Sequence, residues 1–266
     1  MDLSEKVTSL PIQTQYFPFF PNFMKYILQN SSPKLLLKLY QSCKYFYFKL
    51  RIIIAQNVWY NNYPEKKEME MEIMINGEYY HDYPNVEKFW LCDKLHIKNV
   101  YKRTIKGPSF NYGLIGNVFL NKIYRNNLKE LSICSGFTLL KELEILSKSP
   151  FLTKVILQTF VKNENDEPIP IEEIIFLFPN IKKFEIDPTY FTMESFEKLL
   201  TFKFLNKIYS LEFWNVETEF NTISMCKFLQ GIFDENADFV LTFDSSQVKN
   251  QLLPRVKEII DGWKTN

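Results

Sequence analysis

Leu128-Lys129-Glu130-Leu131-Ser132-Ile133 is the stretch on which the reading of this chain turns. In Leu131-Ser132-Ile133 two apolar side chains flank a polar one, the period of two expected of a strand with one buried and one solvated face. Leu128, three residues earlier, adds a further apolar anchor. The same form returns at Leu95-His96-Ile97, Val155-Ile156-Leu157, Phe184-Glu185-Ile186, Leu211-Glu212-Phe213 and Leu241-Thr242-Phe243. Leu152, Ile181 and Ile208 repeat the preceding anchor. Successive cores lie 36, 24, 29, 27 and 30 residues apart, which leaves room for one helix in most intervals.

Helical spacing falls in those intervals at about 112–126, 138–147, 171–178, 192–204 and 222–233. One strand and one helix cannot bury their own apolar faces, whereas units stacked in register build a continuous core. Parallel strands joined by right-handed crossovers satisfy that requirement. Residues 86–244 therefore resemble a leucine-rich-repeat array, with irregular spacing, phenylalanine often in place of leucine and no clear asparagine ladder. The expected fold class is α/β, an irregular solenoid of parallel strands and helices behind a helical N-terminal module. An irregular α/β domain of another kind stays open. At 245–266, Val248, Leu252, Leu253, Val256, Ile259, Ile260 and Trp263 fall at helical spacing, broken at Pro254, and are expected to close the end of the array.

Toward the N-terminus, residues 63–85 contain a mixed charge run and the turn pair Asn76-Gly77. Met69, Met71, Ile73 and Ile75 alternate with other residues, so this part reads as a linker or an edge hairpin. Residues 1–15 are polar without a period and read as a flexible tail. Between them, 16–62 reads as a helical module. Pro18 and Pro21 open a first helix carrying Phe23, Met24, Ile27 and Leu28. Asn30, Ser31 and Ser32 offer caps, and Pro33 suits the first position of a second helix with Leu35, Leu36, Leu37 and Leu39. A third helical stretch is expected from about Gln41 through Cys43, Phe46 and Leu50 toward Trp59. So short a segment cannot enclose this many large apolar side chains by itself.

Pro33, Leu36-Leu37 and Cys43-Lys44-Tyr45-Phe46 stand at the spacing of the second half of an F-box, and the segment resembles that family. Phe20-Pro21 and Ile27-Leu28 stand for its first half, which is one residue short. Asn22 or Phe23 replaces an acidic residue of the pattern, Lys34 and Leu35 replace polar or acidic ones, and Phe46 replaces a tryptophan. The resemblance implies docking on a Skp-type adaptor of a cullin-RING ubiquitin ligase through Phe20, Pro21, Ile27, Leu28, Pro33, Leu36, Leu37, Leu39, Cys43 and Phe46. It also implies a non-catalytic protein whose repeats hold a protein substrate. The alternative is a stand-alone repeat scaffold whose N-terminal helices only cap the array, their leucines buried within the chain.

Composition agrees with a folded chain: of 266 residues, 46% are hydrophobic and 24% charged. A net charge of +1 gives no global field toward nucleic acid or an acidic membrane, and neither is expected as a partner. Lys98, Lys102, Arg103 and Lys106 read as a solvated connection. Cys43, Cys92, Cys134 and Cys226 are too irregularly spaced for a disulfide framework, which suggests a reducing compartment. With neither an export signal nor a long apolar run, the expected location is cytoplasmic or nuclear.

Signals for catalysis are sparse. His81 and His96 have no partner in a nucleophile motif, and Gly113-Leu114-Ile115-Gly116 falls short of a phosphate-cradling loop. Cys92 and His96 lack the second pair that a zinc site needs, so no metal or cofactor is expected. The functional surface is expected from strand alternation instead, which turns His96, Ser132, Ile156, Glu185, Glu212 and Trp214 to the face opposite the core. That face begins basic, with Lys94 and Lys98, and becomes more acidic later. Trp214 is either an exposed anchor for a partner or packed under a neighbouring loop.

Overall fold

The computed structural model describes residues 20–63, 70–80, 88–99, 119–216 and 218–243, with 249, 250, 253–255 and 257. The expected tail at 1–15, His81, Lys102, Arg103, Lys106, the Gly113 to Gly116 segment and most of the expected closing helix lie outside the described residues. Those described beyond 248 are helical.

Among the described residues three helices come first: α1 (Pro21–Asn30), α2 (Pro33–Ser42) and α3 (Lys44–Leu50). The Ser32 hydroxyl accepts the Leu35 N–H at 3.2 Å, and Pro33 occupies the first turn of α2, where a missing N–H costs nothing. The third helix is shorter than expected. Arg51 sits at φ 48°, in the left-handed region, and ends α3, after which β1 (Ile52–Tyr63) is extended. Ile52, Ile53 and Ile54 are stiff at χ1 and favour a pleated surface, which outweighs the helical spacing carried by the aromatic residues before them.

β2 (Glu70–Ile75) and β3 (Glu78–Tyr80) form the edge hairpin. Asn76 and Gly77 both have positive φ, as a two-residue hairpin turn of this hand requires. The Asn76 side chain has a second use. Its Oδ1 accepts the N–H groups of Gln56 and Asn57 at 2.8 and 3.2 Å, and its Nδ2 donates to the Ile54 carbonyl, so it takes up backbone groups of β1 where the register with β4 shifts by one residue.

The rest alternates strand and helix: β4 (Lys88–Asn99), β5 (Ile123–Asn126), β6 (Glu130–Leu139), α4 (Leu140–Leu146), β7 (Lys154–Lys162), α5 (Ile171–Ile175), β8 (Lys183–Ile186), α6 (Ser195–Thr201), β9 (Ile208–Val216), α7 (Thr222–Ile232) and β10 (Phe233–Phe243). Ile123–Asn126 is thus a strand, where a helix was expected. The ten strands among the described residues belong to one open, mostly parallel sheet in the order β10-β9-β8-β7-β6-β4-β1-β2-β3, with β5 beside β4. The fold is α/β and compatible with a solenoid.

Register confirms the repeated triplets as equivalent. Leu95, Leu131, Val155, Phe184 and Leu211 align across the sheet, as do Ile97, Ile133, Leu157, Ile186 and Phe213, all of them buried. In the last strand the aligned triplet is Phe239-Val240-Leu241, two residues before the expected Leu241-Thr242-Phe243. Backbone rungs repeat as well. The Lys129 carbonyl receives the N–H groups of Thr153 and Lys154, that of Thr153 receives Lys182 and Lys183, and that of Lys182 receives Tyr209 and Ser210. Asn126 and Asn206 donate their amides to the Leu146 and Asn180 carbonyls at 2.8 Å, a partial asparagine contribution that the sequence did not reveal.

The buried strand residues meet α4 to α7 in one large core, where Phe191, Phe196, Phe213, Phe220 and Phe228 pack ring on ring. A second, smaller core lies on the other face of the sheet. There Met24, Leu28, Leu36 and Phe46 of α1 to α3 close over Ile52, Ile54 and Trp90.

Candidate functional site

Because α1 to α3 cover only the beginnings of β1 and β4, the remainder of that sheet face carries the polar residues of each triplet. His96, Ser132, Ile156, Glu185 and Glu212 are consecutive register partners across β4, β6, β7, β8 and β9. The row continues to Trp59 on β1 and Val240 on β10. The expected face residues are therefore brought together in one line, each partly exposed.

Hydrogen bonds run along this face between strands. Glu130 is shared by Lys94 at 3.1 Å and Lys154 at 3.4 Å. Gln158 Nε2 donates to Glu185 at 2.8 Å, and Asn215 Nδ2 to Asp187 at 2.8 Å. Glu212 is the most heavily bonded, receiving Lys183 at 2.7 Å, the Ser210 hydroxyl at 3.1 Å and the Trp214 indole N–H at 3.3 Å. Burial alone would raise the Glu212 carboxyl, but Lys183, Ser210 and Trp214 together hold it below the ordinary carboxylate value. Its bond to Glu212 in turn raises the Lys183 ammonium. Trp214 is only partly exposed, its polar edge committed to Glu212.

At the other end, the rings of Trp59 and His96 lie 4.1 Å apart. Trp59 is 45% exposed, a large apolar surface that sequence reading placed in a helix and so left out of the face. Burial, followed by the charge of Lys98, lowers the His96 pKa and favours the neutral ring. Cys92 points elsewhere, packing with the smaller core and donating to the Trp90 carbonyl; burial, then Asp93, pushes its thiol up to about 12. Both residues are accounted for by packing. Among the described residues no group of three or more His, Cys, Asp or Glu comes together to hold a metal.

The N-terminal helices form the other surface, and here the expected docking set divides. Leu28, Leu36 and Phe46 are buried in the smaller core, Leu36 to 1% exposure, so they are not the accessible docking residues that the sequence suggested. The sheet supplies the cover that the isolated segment lacks. Ile27, Pro33, Leu37, Leu39 and Cys43 are half-buried, and Leu37, Leu39 and Cys43 pack against the same core. Phe20, at 83%, and Pro21 are exposed, and so are Phe23, Tyr26, Leu35, Tyr45 and Phe48, which are not among the docking residues that the resemblance implies.

Elsewhere, a pocket of about 450 Å³ opens between the loops at 147–152 and 176–180. The Ser149 hydroxyl at its wall is committed to the Leu128 carbonyl at 2.6 Å. No helix among the described residues is long and apolar enough to cross a membrane. Comparison of the chain with protein-family models, curated proteins and solved structures finds no match in any of the three.

Proposed function

We propose that this chain is a non-catalytic adaptor that works in the cytoplasm or nucleus. In this reading α1 to α3 dock on a Skp-type adaptor of a cullin-RING ubiquitin ligase, as the F-box resemblance implies, and the bare sheet face holds a protein substrate. The observation that carries it is the division of apolar side chains on α1 to α3. Met24, Leu28, Leu36 and Phe46 pack the module onto the sheet, whereas Phe20, Tyr26 and Leu35 are exposed. Each such side chain contributes roughly 1.5–3 kcal/mol when fully buried, before association costs. The docking residues are then Phe20, Pro21, Tyr26 and Leu35, with Leu28, Leu36 and Phe46 supporting them from beneath. Co-expression with a Skp-type adaptor tests this: the two co-purify, and Phe20→Asp with Leu35→Asp separates them without unfolding the chain.

A second reading is favoured by the burial of Ile52, Ile54 and Trp90 beneath the helices. In it α1 to α3 serve only to cover an apolar corner of the sheet, and the chain is a stand-alone binding scaffold. Failure of the wild-type chain to co-purify with the adaptor would favour this reading.

A further inference from the structure

Beyond α1 to α3, the described residues of this sheet face carry opposite charge at its two ends. On β4, Lys94 and Lys98 flank His96; Glu130, which pairs with Lys94, is shared with a further lysine, Lys154, and Asp93 is paired with Lys129. Lysines are in excess here. On β8 to β10 stand Glu185, Glu212 and Asp238, with Asp187 directly after β8, and on the same face of these strands Lys183 is already held by Glu212. Carboxylates are in excess there. Between the two ends Glu130 of β6 and Lys154 of β7 pair with each other, and the aligned row and the one beyond it are neutral there, with Ser132, Cys134, Ile156 and Gln158 and with Ile156 at the centre.

We propose that this face binds an extended segment of its partner laid across the strands, acidic over β4, neutral or apolar over Ile156 and basic over β8 to β10. The proposal rests on the sheet face being the substrate surface, a premise common to both readings above. From β4 to β9 the sheet takes four steps, through β6, β7 and β8. At about 4.8 Å per step this is roughly 19 Å, the length of about six residues of extended chain. Acidic and basic groups of the bound segment are therefore separated by about that many residues.

The charge pattern would also be complementary to a second copy of itself under a two-fold rotation. The α1 to α3 helices argue against that occupant. They stand on the same face over Ile52, Ile54 and Trp90, and a helix layer about 10 Å thick keeps another flat sheet from lying down beside them. A single extended segment needs no such clearance.

The experiment uses the full chain and two fluorescein-labelled peptides of about eight residues with identical composition. One carries paired glutamates at one end and paired lysines at the other, with serine and valine between; the second alternates the charges. Fluorescence anisotropy at low salt is expected to show the block peptide binding at least about tenfold more tightly, with the difference shrinking as salt is added. Lys98→Glu and Asp238→Lys each abolish the preference while circular dichroism is unchanged. Equal affinity for the two peptides would overturn the proposal. So would sedimentation showing a dimer that Lys98→Glu disperses, because the face would then belong to a second copy. Adaptor binding is measured separately on the same protein. If the adaptor binds and the peptides are not distinguished, this inference alone falls; if the block peptide is preferred and no adaptor binds, the docking reading alone falls.

Discussion

The guanidinium of Arg125 lies 4.7 Å from the centre of the Trp90 ring, and its Nη2 donates to the Gln29 carbonyl at 2.5 Å. One side chain from β5 thus touches both the sheet residue at the floor of the smaller core and the end of α1. A cation over an aromatic face and a charge-assisted hydrogen bond act here on the same joint. Replacing Arg125 by methionine keeps much of the apolar stem and removes both. The expected cost is about 1–3 kcal/mol, read as a lower urea midpoint. A change within error would show that α1 is held by apolar packing alone.

Adjacent leucines on α2 separate the two roles of the N-terminal module. Leu36 is 1% exposed and Leu35 46%. Leu36→Ala is expected to cost about 2–5 kcal/mol through lost burial and a residual cavity. Leu35→Ala is expected to stay within about 0.5 kcal/mol of wild type in the same unfolding measurement. Similar losses at both positions would place Leu35 in the core as well and remove it from the proposed docking surface.

His96 gives the face a pH dependence. Its pKa is lowered by burial against Trp59 and neighbouring strands, then by Lys98, so the folded chain resists a proton that the unfolded chain accepts near pH 6.5. The stabilising contribution is therefore present above about pH 6.5 and is lost as pH falls through the lower folded value. Urea midpoints compared at about pH 7.5 and about pH 5.5 should fall further for wild type than for His96→Gln. Equal falls in the two proteins would mean that other groups carry the acid sensitivity.

Much of the array was legible because its evidence in the sequence is local. A triplet such as Phe184-Glu185-Ile186 has the period of a strand with one covered face, and equal triplets pair with one another, so register follows from the repeat itself. Ile52–Tyr63 was misread because aromatic residues at helical spacing ran up to it, while the Arg51 turn that separates them has no glycine or proline to announce it. The docking residues were harder for a different reason. Apolar spacing identifies which face of α2 needs cover, but Trp90, which helps supply the cover, lies more than fifty residues away in sequence. Leu36 therefore looked available to a partner, whereas Tyr26, left exposed by the same packing, carried no distinguishing mark.

Calorimetric titration of a purified Skp-type adaptor into the full chain tests the central claim most directly. The account predicts wild-type binding in the micromolar range or tighter. Phe20→Asp with Leu35→Asp should weaken it more than about tenfold at an unchanged melting temperature. Absence of binding by wild type at tens of micromolar, or undiminished binding by the double variant, would contradict it.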